Sequence, residues 1–325
     1  MRKLIAFAFA ALTLAALTAI PAAANPQGTN GRIAFTRYNS TLGDDFVYTA
    51  NPDGSHEKQL LETGAEGPKW SPDGTRIAVF PHDVADVSAR IVNPDNGTYK
   101  DLPMPDSDLL FLPCGNWSPD GTRLSCDGFG LSDGGLDGIY TIRSSDGGGL
   151  QRITSNPNGE DCPGSYSPDG KRLVFFRAND TTFALFTVKI DGTGLRQISP
   201  DDSTQFDNNF ECGSWSPQGN EILFSARVPN DQRNTVWMVH SDGTGLHQVP
   251  IPGCGGSRTD PSTIGCFGAN WSPDGSKIIF ERFSDGQGDV YSVNPDGTDL
   301  TSVVGTPDDE GGPPNWGTHP LAPGR

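Results

Sequence analysis

The apolar residues of this chain fall in short dense runs, not at the three- and four-residue spacing of an amphipathic helix. Arg76-Ile77-Ala78-Val79-Phe80, Arg172-Leu173-Val174-Phe175 and Lys277-Ile278-Ile279-Phe280 are apolar at nearly every position after the leading cation. Such runs predict strands covered on both faces. Each follows a turn in which Pro sets φ for the first corner, Asp suits the second and Gly takes the left-handed position. That chemistry predicts a three-residue hairpin loop. A second hairpin is marked by Val47-Tyr48, Ile139-Tyr140, Leu185-Phe186, Val236-Trp237 and Val290-Tyr291. Each pair runs into an Asp-Gly turn: Asp53-Gly54, Asp146-Gly147, Asp191-Gly192, Asp242-Gly243 and Asp296-Gly297. The second unit differs, with Ile91-Val92 and a longer Asp95-Asn96-Gly97 turn.

These elements recur at a fixed period. An aromatic-Ser-Pro-Asp-Gly turn begins at Trp70, Trp117, Tyr166, Trp215 and Trp271, and a degenerate copy surrounds Trp316. The turn residues are Asp73 and Gly74, Asp120 and Gly121, Asp169 and Gly170, Gln218 and Gly219, and Asp274 and Gly275. The steps are 47, 49, 49, 56 and 45 residues. Four short strands per step, six times over, predict an all-β fold: a six-bladed β-propeller of four-stranded antiparallel blades. The ends of the chain fit together. Gly31-Arg32-Ile33-Ala34-Phe35 reads as a second strand with no first strand before it. Gly312-Pro313-Pro314-Asn315-Trp316 reads as a first strand with no second strand after it. Pairing the C-terminal strand with the N-terminal strands closes the ring and removes the open sheet edges.

The Trp-Ser-Pro-Asp-Gly turn, the Ile-x-Phe strand and the Val-Tyr strand before Asp-Gly resemble the WD40-like repeat of TolB-type propellers. The resemblance spans Gly31 to Gly317 and implies a non-catalytic binding or protein-interaction module. TolB itself joins an N-terminal α/β domain to its propeller and binds partners of the Tol-Pal envelope system, so a Tol-Pal role is a further implication. Similar repeats form the propeller domains of prolyl-oligopeptidase-type peptidases. An enzyme built on the propeller, such as a lyase or lactonase acting at the channel mouth with a bound cation, is the alternative function.

Composition agrees with this reading, because 41 Gly and 27 Pro in 325 residues disfavour long helices. The N-terminus stands apart. Arg2 and Lys3 precede an apolar run from Leu4 to Ile20, and Ala22-Ala23-Ala24 supplies a signal-peptidase site. A membrane anchor is the alternative reading of that run. The expected organisation is a signal peptide over 1–24, a short segment over 25–30, the propeller over 31–317 and a tail over 318–325. The product is an exported, extracellular or periplasmic protein with no membrane span after cleavage after Ala24. No Cys precedes Cys114, which excludes a lipoprotein. Loss of the leader leaves 21 basic against 40 acidic residues, a balance of -19. Such a surface repels nucleic acid and anionic lipid.

Catalytic signals are sparse. Gly130-Leu131-Ser132-Asp133-Gly134 matches a nucleophile elbow in form, but a strand is expected after it where the elbow needs a helix. His56, His82, His240, His247 and His319 are scattered through different units without metal-ligand spacing, and His56 and His247 are expected to face solvent. The repeated Asp-Gly pairs suit backbone turns, with Ca2+ the alternative; no other cofactor is expected. Six cysteines in an exported chain suggest disulfides, with fifteen connectivities open. Cys254 with Cys266 would tie down one long loop. Counting outward from the Pro119-Asp120-Gly121 turn sets Cys126 opposite Cys114, at a hydrogen-bonded site with the wider separation. Cys114, Cys162 and Cys212 are expected on first strands.

The blade order places the Pro-Asp-Gly and Asp-Gly hairpins on one face. The second-to-third-strand loops and the inter-blade loops, which vary, emerge on the other, where binding residues usually lie. Those inter-blade loops carry Glu62, Glu66, Asp106, Asp108, Glu160, Asp161, Asp201, Asp202, Asp207, Glu211, Asp308, Asp309 and Glu310. Arg37, Arg177, Arg227 and Arg282 stand at the ends of second strands. The expected partner of this face is a protein or peptide of the envelope or exterior, bound by a monomer.

Overall fold

A computed structural model describes residues 28–130, 135–180, 182–200, 212–227, 233–257, 259–260, 262–284, 287–305 and 311–322. The leader expected over 1–24 and Ser132 of the elbow-like segment lie outside these residues. Among the described residues every regular element is a β-strand, and no helix is long and apolar enough to cross a membrane.

The first blade holds β1 (Ile33–Asn39), β2 (Asp44–Ala50) and β3 (Lys58–Gln59); the second holds β4 (Ala65–Trp70), β5 (Ile77–Pro81), β6 (Val87–Val92) and β7 (Tyr99–Pro103). In the third, β8 (Leu109–Phe111) and β9 (Cys114–Trp117) both pair with β10 (Arg123–Gly130), followed by β11 (Gly138–Arg143) and β12 (Gln151–Arg152). These two strands are one inner strand interrupted at Leu112-Pro113, where Pro lacks the N–H for the ladder. The fourth blade is β13 (Gly159–Tyr166), β14 (Arg172–Asn179), β15 (Phe183–Lys189) and β16 (Arg196–Gln197). The fifth is β17 (Ser214–Trp215), β18 (Glu221–Arg227), β19 (Asn234–His240) and β20 (His247–Gln248). The sixth is β21 (Gly265–Trp271), β22 (Ile278–Ser284), β23 (Gln287–Val293) and β24 (Thr301–Val304). The last strand, β25 (Gly311–Trp316), pairs antiparallel with β1, setting Trp316 opposite Ile33. Both chain ends therefore share the first blade, in the order β25-β1-β2-β3.

The core lies between blades, in six clusters that each span two neighbouring sheets. One joins Ala34 and Val47 to Trp70, Ile77 and Val79, and another joins Leu102 and Ala89 to Trp117, Leu124 and Tyr140. Ile139 and Ile153 meet Leu173 and Phe175, and Val174 and Leu185 meet Ile222 and Phe224. Leu223 and Met238 meet Trp271 and Phe280. The sixth cluster returns to the start, with Ile279, Val290 and Val303 against Ile33, Phe35 and Trp316.

Two details depart from the sequence reading. The Pro-Asp-Gly loop has four residues, because the Ser71 N–H bonds the Arg76 carbonyl across it. Inside it the Gly74 N–H reaches back to the Ser71 carbonyl, and Gly74 takes φ 69°. Asp73 Oδ1 braces the loop by accepting from the Ser71 hydroxyl and from the Thr75 N–H and hydroxyl. Asp120 and Asp274 repeat the arrangement, and where Gln218 replaces Asp, Asn220 accepts from Ser216 instead. The inner strands also bulge just before the aromatic: three steps from Trp117 to Cys114 face two from Leu124 to Cys126. The same shift occurs between Glu66 and Lys69, Pro163 and Tyr166, and Phe267 and Asn270. Loop and bulge together alter the count, so Cys114 still faces Cys126, but with Cα atoms 4.0 Å apart instead of at the wider separation.

Cys114–Cys126 and Cys254–Cys266 are both disulfides, with Cys266 on β21 instead of within the loop, and a third bond links Cys162 on β13 to Cys212, which precedes β17 instead of lying on a first strand. Removing 306–325 should eliminate β25 and uncover Ile33 and Phe35 along a bare edge. The expected result in calorimetry is loss of the cooperative transition or aggregation. A truncated chain that melts like the full one would show that the terminal pairing is dispensable.

Candidate functional site

The inner strands surround a channel, and the residue before each motif aromatic lines it. Lys69, Asn116, Ser165, Ser214, Asn270 and Asn315 all border a narrow space of about 40 Å³ at the Pro-Asp-Gly end. Several of them also tie blade to blade. Asn315 accepts from the Trp70 N–H at 2.8 Å, and Ser165 from the Trp215 N–H at 2.8 Å. The Asn116 amide donates to the Pro163 carbonyl and the Asn270 amide to the Pro314 carbonyl, each at 3.0 Å. The C-terminal segment lies over this end, where His319 stacks on Trp70 and meets the Gly74 carbonyl at 2.8 Å. Gly317 sits so close under the Trp70 ring that a Cβ there would collide.

Toward the inter-blade loops the channel widens, through a space of about 190 Å³, into a mouth of about 710 Å³. The mouth is lined mainly by the first four blades. Its apolar wall is Phe80 and Phe111, edge to face at 5.1 Å, and Phe111 continues to Phe129. Phe111 and its neighbour Leu110 are 42% and 60% exposed, unusual for residues so large. The charged groups of the lining are Asp45, Glu66, Asp127 and Lys69.

Asp127 is the carboxyl with perturbed chemistry. It lies on β10, three residues after Leu124, at the second-strand position where the other blades carry Thr36, Phe80, Phe176, Ser225 and Glu281. Its Oδ1 is buried with no hydrogen-bond partner. Burial first, then the charges of Glu160, Asp161 and Asp137, push its pKa up to about 8. Asp161 shows the opposite solution to burial. It is fully enclosed, yet accepts from Arg177 Nε and Nη2, each at 2.7 Å, from Thr154 at 2.6 Å and from Asn156 at 3.1 Å. At the rim, His82 Nδ1 meets Asp44 at 2.7 Å and Nε2 lies 3.7 Å from Glu66. His82 is raised above the usual imidazole value: burial opposes the shift, but the hydrogen bond to Asp44 and the charge of Glu66 outweigh it.

Of the residues singled out in the sequence, Asp201, Asp202, Asp207, Glu211, Asp308, Asp309 and Glu310 lie outside the described residues. Glu66 lines the mouth; Glu62, Asp106, Asp108 and Glu160 are exposed, and Asp161 is buried. Three of the four basic residues are engaged within their own blades. Arg37 bonds Glu57 at 2.5 Å and lies over the Tyr48 ring, and Arg177 grips Asp161. Arg282 lies 4.7 Å over Tyr291, while Arg227 ends β18 opposite Asn234. His56 and His247 are exposed. Sequence reasoning missed Asp127, whose signal was one carboxylate in a strand run, Leu124 to Gly130, that carries no other charge. Among the described residues no group of three or more His, Cys, Asp or Glu is placed to hold a metal ion.

A family model described as the TolB beta propeller domain matches residues 25–263. The uncharacterized protein Atu1656 of Agrobacterium fabrum is 26% identical over 270 residues, covering 67% of this chain and 84% of that protein. The Tol-Pal system protein TolB of Anaeromyxobacter dehalogenans is 30% identical over 121 residues, 34% of this chain and 24% of that protein. The crystal structure of TolB from Acinetobacter baumannii superposes with a TM-score of 0.67 at 18% identity. That match covers 88% of this chain and 66% of the Acinetobacter one, so the chain spans less than two thirds of either TolB.

The state of Asp127 makes stability depend on pH. Its folded pKa, about 8, lies above the ordinary 3.8, so its contribution is intact below about pH 4 and is lost as pH rises through 8. Asp127→Asn imitates the protonated acid. The variant should melt like the parent at pH 3.5, below the unfolded pKa. At pH 9 it should be more stable by several kcal/mol, on the order of 10 °C in a chain of this size. A difference that is the same at both pH values would contradict the assignment.

Proposed function

This chain belongs to the TolB β-propeller family, and on that premise we propose that it is an exported, non-catalytic binding module. It acts as a monomer and engages a protein or peptide of the cell envelope or exterior through the wide mouth of its channel. The observation that carries this reading is the shape and chemistry of the mouth. A cavity of about 710 Å³ backed by Phe80 and Phe111 and edged by Asp45, Glu66 and Asp127 is suited to seating an apolar and cationic segment. Among the described residues, both cysteines of its lining are held in disulfides.

Export is supported by the three disulfides, which persist in oxidising compartments. The relative named as a Tol-Pal system protein supports an envelope partner. Asp201, Asp202, Asp308 and Asp309, with the other loop acids, are proposed to steer that partner, since rim charges act chiefly on association rate and salt dependence.

The test begins with a ligand isolated by pull-down from an envelope extract. Leu110→Ser with Phe111→Ser should weaken its binding at least about tenfold, the scale of losing an aromatic anchor. Neutralising the four loop aspartates should slow association at low salt and leave the melting temperature nearly unchanged. Asp53→Asn on the opposite face should leave affinity alone. Binding of the Leu110 and Phe111 variant as tight as that of the parent would remove the mouth from the account.

A further inference from the structure

We propose that Asp127 is the receptor for a positively charged group of the ligand, a lysine ammonium or an arginine guanidinium. The inference rests on the mouth being the binding face, and goes beyond it by naming the residue and the chemistry it takes.

Buried polar atoms in native proteins are almost always hydrogen-bonded, so an orphaned one calls for a reason. Asp127 Oδ1 is such an atom, and it belongs to a side chain that lines a cavity large enough to admit a ligand. The fold supplies cations to its neighbours instead. Arg177 from β14 is committed to Asp161, and Arg152 from β12 donates to the carbonyls of Thr154, Gly135 and Asp137. The charged groups around Asp127 are mostly acidic. Glu160 and Asp161 approach from β13 and Asp137 from the segment before β11, while Asp45, Glu66 and Lys69 line the far side of the mouth. An anion would meet repulsion there. A cation would meet a carboxyl, further negative charge and the faces of Phe80 and Phe111, in surroundings drier than bulk water. The cavity wall beside Asp127 includes Pro113, Pro163 and two disulfide-bonded cysteines, Cys114 and Cys162, so it is preorganised.

The carboxyl carries a proton at neutral pH, because burial and the neighbouring charges raise its pKa to about 8. A bound ammonium or guanidinium stabilises the carboxylate, and the displaced proton leaves to the buffer. Binding is therefore coupled to the release of one proton, and affinity rises with pH up to about 8.

A fluorescein-labelled tri-arginine peptide is the probe, with tri-glutamate as control, measured by anisotropy at low salt and by calorimetry in buffers of different ionisation enthalpy. For the parent protein, binding of tri-arginine should be about fiftyfold tighter at pH 8 than at pH 6, with about one proton released at pH 7. His82, which despite burial is held above its ordinary value by Asp44 and Glu66, loses charge as pH rises and would act in the same direction, so His82→Gln is measured alongside and should keep most of the slope. Asp127→Asn should weaken binding at pH 8 and abolish both slope and proton release, while melting like the parent at pH 3.5. Wild-type affinity and slope in Asp127→Asn would overturn the inference, as would failure of tri-arginine to bind the parent. If Phe111→Ser weakens binding while Asp127→Asn does not, only this inference falls. If neither variant changes binding, the reading of the mouth falls with it.

Discussion

The structure depends on one antiparallel pairing, that of β25 with β1, which makes a single blade from the two ends of the chain. A propeller blade cannot bury its own faces, so each sheet relies on the neighbours on both sides. The six apolar clusters here follow that rule, each spanning two sheets, with the sixth joining Ile279 and Val303 to Ile33 and Trp316. Without β25, the first blade would lack its inner strand and the sixth would lose the Trp316 contact. The Trp316 indole N–H, bonded to the Gly31 carbonyl at 2.9 Å, and the His319 carbonyl, bonded to the Arg32 N–H at 2.9 Å, extend the same seam toward the tail.

Closure also determines what the channel is. Once six inner strands converge, the residue before each aromatic must border the axis, and in this chain five of those six are Asn or Ser. Their hydrogen bonds to the backbone of adjacent blades narrow one end. At the other end the inner strands diverge, and the chain spends its variation there: an interrupted strand at Leu112-Pro113, an exposed Phe111 and a carboxyl at Asp127. Rigid aromatic and turn positions set the frame, and substitutions within the second strands set the chemistry of the mouth.

Much of this was legible in the sequence because it repeats. Trp70, Trp117, Tyr166, Trp215, Trp271 and Trp316 each begin a turn, so one local rule predicts six blades, and the half-blades at the termini predict their pairing. The bulges were legible but unread: a glycine stands two or three residues before each of the first five aromatics, at Gly67, Gly115, Gly164, Gly213 and Gly268, and three of these have positive φ. What could not be read depends on contacts between distant segments. The Cys162–Cys212 bond exists because β13 and the segment leading into β17 meet, with the two cysteines 50 residues apart in sequence. Arg37, Arg177 and Arg282 resemble free rim cations in the sequence, yet each folds onto an aromatic ring of its own blade. Asp127 occupies a position that tolerates Phe, Ser, Thr and Glu elsewhere; burial without a partner, not residue type, gives it its character.

The central claim is that the seam between β25 and β1 is as much a part of the cooperative structure as any strand pair within a blade. Native-state hydrogen exchange read by mass spectrometry tests it most directly, by comparing peptides covering β1 and β25 with those covering β10, β14 and β18. The account predicts protection of the seam within about tenfold of those inner-blade strands, all opening in one global event. Exchange of β25 and β1 that is faster by several orders of magnitude, with the other blades still protected, would contradict it.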